Sequence, residues 1–339
     1  MLTNFIRKII YFEYWPWQIF YIPLYPYLVY LIIKHKTAFA FSAINSGISA
    51  DSGLFTANKY DILKKVPIGY KPNECLITIA DSEEQVIEKV KENGLEFPLI
   101  CKPIFGERGD DVEKLESPLS LRKYYQELQE SFVVQEFIDL KEEFGIVFFK
   151  HPDTHEVEIT SIVQKELLSV VGDGNRKVSD LLKESSRGHL YLSKIIKKYP
   201  ELADKIIEKD QLQIVEPIGN HCRGTKFIDR NDLLDSTVVL KKVKEVVLPL
   251  DNIHFGRLDL KVESEAKLLQ EEGKITVFEI NGVHAEPSHI YDSKTSIIKA
   301  YRDLYAQWDK IFVYGKICAN KGVPCLKLRK FVSLVFQRP

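Results

Sequence analysis

Polar and apolar positions alternate with a period of two along two neighbouring stretches late in the chain. In one, Ile275, Val277, Glu279 and Asn281 alternate with Thr276, Phe278 and Ile280; in the other, Arg257, Asp259 and Lys261 alternate with Leu258, Leu260 and Val262. That period puts successive side chains on opposite faces of a strand. The polar, glycine-ended connection 263–273 predicts that the two strands pair antiparallel. Further upstream, "EEFGIVFFK" and "EVEITSIVQK" read as paired strands around a turn at His151–His155, and "SFVVQEFID" as a buried strand ending in polar groups. A short buried strand from Leu99 ends in Lys102-Pro103, and the segment 37–54 reads as loops around one short strand.

Helical periods fill much of the rest. Residues 56–67 predict a helix capped by Thr56 or Asn58 and stopped before Pro67. Ser82 and Gln85 form a capping-box signature for a helix over 82–93, with Val86, Ile87 and Val90 as its apolar stripe. A helix over 117–130 follows. The longest runs from Ser296 to about Tyr314, with Ile297, Ile298, Tyr301, Leu304, Tyr305, Trp308, Ile311 and Phe312 on its core-facing stripe.

Composition adds bounds. The 339 residues are 45% hydrophobic and 28% charged, with a net charge of −1. This suits a globular chain of two or three domains and gives no electrostatic case for nucleic acid. The five cysteines are irregularly spaced, so neither a disulfide framework nor a zinc site is expected, and reduced thiols in a cytoplasmic protein are the default.

The two ends depart from this ordinary picture. Tyr14–Ile33 carries no charge, is flanked by Arg7 and Lys8 and by Lys34, His35 and Lys36, and is rich in aromatics. Its length suits a membrane span, but Pro16, Pro23 and Pro26 break a helix, so a bent, interfacial or re-entrant segment is expected. Burial in the protein core or in a homodimer is the competing reading. From Lys316 onward the chain is basic, acid-free and interleaved with Leu326, Leu328, Phe331 and Val332, the composition of a segment that binds a membrane surface. These features organise the chain as a hydrophobic region 1–55, a body 56–315 and a basic tail 316–339, at the inner face of a membrane.

The polar strand faces carry the candidate chemistry. If they coincide, Asp259, Glu279 and Asn281 converge as hard oxygen donors beside Arg257 and Lys261, a set suited to Mg²⁺, or Mn²⁺ in its place, and a polyphosphate. A solvated strand face is the plain alternative. Lys102 ends a strand before a loop with Gly106 and Gly109, where an ammonium and backbone N–H groups can hold phosphate. Gly172-Asp173-Gly174 reads as a hairpin turn.

In order and spacing these pieces resemble the ATP-grasp carboxylate–amine ligases over residues 56–310. The resemblance implies an α+β ATP-grasp fold, with a nucleotide-binding subdomain near 75–140 and a catalytic subdomain near 141–315. Lys59 and Lys102 look like the family's phosphate-binding lysines, with Gly106 to Val112, Gly109 included, as its mobile loop. Glu136, Phe137 and Ile138 fall where its hinge holds adenine, and Glu143 where a carboxylate holds ribose. Asp259, Glu279 and Asn281 fall on its metal ligands. "LLSVVGDGNRKVSDLL" and "GNHCRGTKFIDRNDLL" are similar to the cyanophycin-synthetase and D-alanine–D-alanine-ligase-like branch, in which an Arg at the place of Arg223 neutralises the transferred phosphoryl group, beside Lys261. The family implies ATP, Mg²⁺, a small-molecule or lipid-linked carboxylate and an amine such as an amino acid. A phosphotransferase on the same fold and a non-catalytic membrane-tethered nucleotide-binding protein are the alternatives. The family's members carry a sizeable N-terminal domain, and with about 55 residues before Lys59, much of them the hydrophobic stretch, a reduced N-terminal region is expected here.

Overall fold

The computed structural model describes residues 12–106, 111–128, 130–185 and 187–336. Gly109 and the basic residues Arg7, Lys8 and Arg338 lie outside them. Strands fall at β1 (Glu74–Ile77), β2 (Leu99–Pro103), β3 (Glu113–Leu115), β4 (Phe132–Glu136), β5 (Glu142–Lys150), β6 (Val157–Glu166), β7 (Ser169–Val171), β8 (Leu212–Ile214), β9 (Lys226–Asp229), β10 (Phe255–Val262) and β11 (Ile275–Asn281). With the helices between them, the class is α+β. The chain divides into two compact units: Met1–Asn73, Ile138–Gln164 and Ile228–Pro339 form one, Glu74–Phe137 and Lys165–Phe227 the other.

In the smaller unit, an antiparallel sheet of order β1-β4-β2-β3 is covered by the helices Glu83–Glu92 and Pro118–Leu128. The first of these has the expected box: Ser82 N donates to Gln85 Oε1 at 2.7 Å, and Ser82 Oγ accepts from Gln85 N. Val86 and Val90 bury beside Leu99, Leu121 and Phe132. The second half of this unit pairs β7 with β8 and packs helices Val178–Glu184 and Gly188–Lys198 on them. Gly172–Gly174 is therefore not a hairpin turn. Asp173 Oδ1 accepts from Asn175 N and Arg176 N, turning the chain into a helix rather than back along β7.

In the larger unit, a five-stranded sheet of order β11-β10-β5-β6-β9 has one face buried by Val239, Val243, Val246 and Val247 of the helix Thr237–Val247. The antiparallel pairing of β10 with β11 is as expected, but strict alternation is not. Asp259 faces Glu279 while Leu260 faces Val277, so Phe278 is an extra, bulged residue. A one-residue slip exchanges the faces of a strand. Here it sends Ile275, Val277 and Ile280 all into the core. Glu279 and Asn281 pass to the other face, opposite Asp259 and Arg257.

Residues 12–56 pack within the same unit. Pro23 separates the helices Trp17–Phe20 and Leu24–His35, and no helix among the described residues is long and apolar enough to cross a membrane. Phe20, Leu24 and Leu31 bury against Leu304, Ile311 and Phe312 of the long helix Ile297–Asn320. That helix, N-capped by Ser296, continues well past Tyr314, and Ile298, expected in its stripe, is 80% exposed. The segment 37–54 contains no strand. It folds as a 3₁₀ turn, Ala40–Ala43, followed by turns, because its Ser, Asn and Asp side chains compete for local backbone groups. The tail forms a helix, Leu328–Phe336, whose Phe331 packs on Phe39, Phe41 and Phe55.

Candidate active site

Three adjacent strands of the larger unit gather charge on one face. β5 lays Glu143 opposite Lys261 and Gly145 opposite Asp259, and β11 lays Glu279 opposite Asp259 and Asn281 opposite Arg257. Arg257 grips Asp259 with two hydrogen bonds, Nε to Oδ1 at 3.0 Å and Nη2 to Oδ2 at 2.9 Å. Burial by itself would lower the guanidinium's pKa, but Asp259, Glu279 and Glu143 together raise it above its ordinary value. Gly145 leaves little room here: a Cβ would lie 3.0 Å from the Val163 side chain and 3.2 Å from Asp259 Oδ1, pressing on both.

Lys59 reaches this face from a distant part of the sequence. It opens the short helix Lys59–Leu63, whose cap is Asn58 rather than Thr56, with Asn58 Oδ1 accepting from Tyr60 N and Asp61 N. Its ammonium lies 3.5 Å from Glu279 Oε1. Lys261 Nζ donates to Ile138 O at 3.1 Å, joining the expected hinge backbone to the expected catalytic lysine.

Asn281 is held at both ends of its amide. Nδ2 donates to Asp259 Oδ2 at 2.8 Å, and Oδ1 lies 3.1 Å from His284 Nε2, while His284 Nδ1 donates to Gly53 O. Asp259 and Glu279 supply carboxylate oxygens and Asn281 an amide oxygen, so the donors fit a hard divalent cation, with a turn of the Asn281 amide directing its oxygen to the ion. Among the described residues, no group of three or more His, Cys, Asp or Glu is drawn together for a metal.

Residues 56–150 match the family profile described as RimK-like ATP-grasp domain. An ATP-grasp domain is what this likeness indicates over those residues. Solved structures similar to it include the D-Ala:D-Ser ligase VanG from Enterococcus faecalis, at 14% identity and TM-score 0.42, covering 79% of this chain and 63% of that one. They also include a D-alanine–D-alanine ligase from Bacillus anthracis, at 13% identity and TM-score 0.43, covering 81% and 70%. An L-amino acid ligase from Bacillus licheniformis, at 17% identity and TM-score 0.40, covers 77% and 48%. The chain thus spans less than two thirds of VanG's length. No curated protein matches its sequence.

The other described residues of the expected site, Ile138 apart, fall in the smaller unit. Lys102 is buried on β2, with Nζ 3.4 Å from Gln135 Oε1, and Gln135 Nε2 donates to Glu74 Oε2 at 3.1 Å. Gly106 adopts φ +147°, a conformation that L side chains rarely take. Glu136 is exposed at the end of β4, and Lys114 Nζ stands 4.3 Å from the centroid of the Phe137 ring. Arg223 is partly buried: Nη1 lies 3.4 Å from Oε1 of Glu216, which is 3% exposed and also receives Lys198 at 3.6 Å.

Several residues around the site had no signal in the sequence. Asn45 Oδ1 accepts from His254 N and Phe255 N, and its Nδ2 donates to Phe255 O, tying the N-terminal loop to the start of β10. Asp51 accepts from Phe55 N at 2.9 Å, Thr56 Oγ1 at 2.9 Å and Gly53 N at 3.2 Å. A Ser161–His289–Asp303 chain, 2.7 Å and 3.1 Å between partners, resembles a nucleophilic triad, but Ser161 is 0% exposed and no substrate can reach it. Such contacts join residues far apart in the chain, and a lone Asn or His in a glycine-rich stretch carries no period to mark it.

Proposed function

We propose that the protein is an ATP-dependent ligase that joins a carboxylate to an amine through an acyl phosphate. The observation that carries this reading is the meeting of Lys59 with Glu279 opposite Asp259, a lysine and paired carboxylates on one strand face. In it, Lys59, Lys102 and the glycine loop with Gly106 and Gly109 hold the ATP phosphates. The backbone of Glu136, Phe137 and Ile138 takes adenine, and Glu143 takes the ribose. Asp259, Glu279 and Asn281 would hold Mg²⁺, which when bound offsets charge on the phosphates. Lys261 and Arg223 steady the phosphoryl group during transfer. Arg257 keeps Asp259 ionised and aligned. Because the acyl phosphate is itself activated, the amine attacks without an enzyme nucleophile, and catalysis is positioning and electrostatics. The test is ADP release on pools of carboxylates with and without amino acids, with hydroxylamine as acceptor to trap acyl phosphate. Turnover needing a carboxylate and an amine supports the ligase; phosphorylated product without an amine identifies a phosphotransferase instead.

The same reading places the enzyme on an anionic membrane surface. Helix Leu24–His35 turns Tyr25, Val29 and Ile33 outward, at 52%, 55% and 70% exposure, and tail helix Leu328–Phe336 exposes Leu328, Val332 and Phe336 near Lys327, Arg329 and Lys330. Apolar side chains with neighbouring cations suit a lipid interface. Co-sedimentation with anionic vesicles at low and high salt tests this. Full-length protein left in the supernatant at both would overturn the membrane part and leave a second copy as the occupant.

A further inference from the structure

The buried Ser161–His289–Asp303 chain cannot act as a nucleophile, yet it joins three elements of the larger unit. Ser161 belongs to β6, His289 to the 3₁₀ turn Ser288–Tyr291, and Asp303 to the helix Ile297–Asn320. A carboxylate only accepts, so His289 Nε2–H donates to Asp303 Oδ2 at 3.1 Å, and Nδ1 accepts from the Ser161 hydroxyl at 2.7 Å. This is the uncharged ring. Burial, aided by the Lys299 ammonium, holds His289 below its ordinary value against the pull of Asp303 and Asp229. The Thr295 hydroxyl also donates to His289 O, at 3.2 Å. At the far end of the turn, Phe20 packs on Tyr291 with ring centroids 5.9 Å apart, and Ile290 shares a cluster with Phe20 and Leu24.

Next to His289 stands Ser288, itself buried. Its hydroxyl oxygen accepts from Arg257 Nη1 at 3.1 Å, and its proton goes to Glu286 O at 3.3 Å. The other two nitrogens of the same guanidinium donate to Asp259, Nε to Oδ1 and Nη2 to Oδ2. Two parallel bonds leave the guanidinium and carboxylate able to swing together as one plate. A third bond from outside the pair fixes the plate's direction. We infer that the Ser161–His289–Asp303 chain is a positioning network: it locks the turn that carries Ser288, and Ser288 holds the Arg257–Asp259 pair in place. This role rests on the ligase reading, in which Asp259 is a ligand of Mg²⁺, and adds to it the residues that aim that carboxylate. Partners one step behind a metal ligand set its direction and so its affinity.

The decisive signal is a proton of Arg257 itself. In the isotope-labelled, metal-free, full-length protein, the Arg257 Nε–H resonance is identified by its loss in Arg257→Lys, and its exchange with water is followed in neutral buffer. Ser288→Ala is expected to speed that exchange about tenfold, as for one lost hydrogen bond to a charged group. His289→Leu should act comparably. Ser161→Ala removes a single strut and should act by a few-fold, and it carries the test should His289→Leu fail to fold. The double variant Ser288→Ala/His289→Leu should exchange no faster than Ser288→Ala alone, because the chain works through that hydroxyl. Val239→Ala, which thins the core on the other face of the same sheet, should leave the rate unchanged. Unchanged exchange in Ser288→Ala or in the chain variants, further acceleration in the double variant, or equal acceleration by Val239→Ala would each overturn the network. In Mn²⁺ titrations with ADP present, Ser288→Ala should bind the ion about tenfold more weakly than wild type. Equal affinity would overturn the aiming of Asp259. A wild type that takes no Mn²⁺ would sink the metal part of the ligase reading, while the exchange rates would still decide the network.

Discussion

The β10–β11 ribbon and the loop 40–56 meet at Gly282, where a Cβ on Gly53 would lie 3.2 Å from the Gly282 Cα. They are held by opposite means. The ribbon is a backbone ladder with side chains sorted to two faces, apolar into the core and charged toward the site. The loop has no ladder; Asn45, Asp51 and Ser52, all buried, hold it by side-chain bonds to backbone. In the ribbon a partly exposed charged side chain such as Glu279 can change without touching the ladder. In the loop the polar side chains are the scaffold, so function and stability separate in one region and coincide in the other.

That contrast can be broken by substitution. Glu279→Gln should lower ATP turnover by about a thousandfold or more, while urea unfolding shifts by under about 1 kcal/mol, since its ion pair with Lys59 is partly exposed and screened by solvent. A comparable loss of stability would mean that the ribbon's polar face is structural. Asp51→Ala should do the reverse. Removing a fully buried acceptor of several N–H and O–H groups strands those donors and is expected to cost about 3–5 kcal/mol, read as a large fall in the urea midpoint. An unchanged midpoint would remove the loop from the scaffold. Lys102→Ala, in the other unit, should weaken ATP by about 2 kcal/mol and adenosine hardly at all, because an ammonium contacts phosphate oxygens only. Equal losses by calorimetry would make Lys102 structural.

The smallest effect sharpens the picture of the loop's anchor. His254, whose N–H donates to Asn45, is held down to about 4 by burial and by the nearby Lys150 ammonium, against about 6.5 when free. Between those values the unfolded chain binds the extra proton. Stability is then fully present above pH 6.5 and falls as pH drops toward 4, by about 1 kcal/mol after allowing for partial solvent access. His254→Gln should flatten that slope in urea unfolding followed across this window, and an unchanged slope would place the proton elsewhere.

Local order along the chain was enough for much of the architecture. Ser82 with Gln85, the period of Arg257, Asp259 and Lys261, and the apolar positions Leu304, Ile311 and Phe312 each act within a few residues, where helix and strand geometry dictate the outcome. The convergence of Asp259, Glu279 and Asn281 on one strand face was legible from the polar positions of β10 and β11, whereas Lys59, which lies beside Glu279, was named only through the family resemblance. What those elements packed against was not legible. The bulge at Phe278 came from the demand that Ile275, Val277 and Ile280 all reach one core, which no strict alternation expresses. The aromatic run after Tyr14 reads alike whether lipid or protein covers it, and only the long helix Ile297–Asn320 beneath it decided that Phe20, Leu24 and Leu31 lie inside. Asn45 and His284 took their surroundings from contacts across most of the chain, since burial and charge depend on neighbours in space and not on neighbours in sequence.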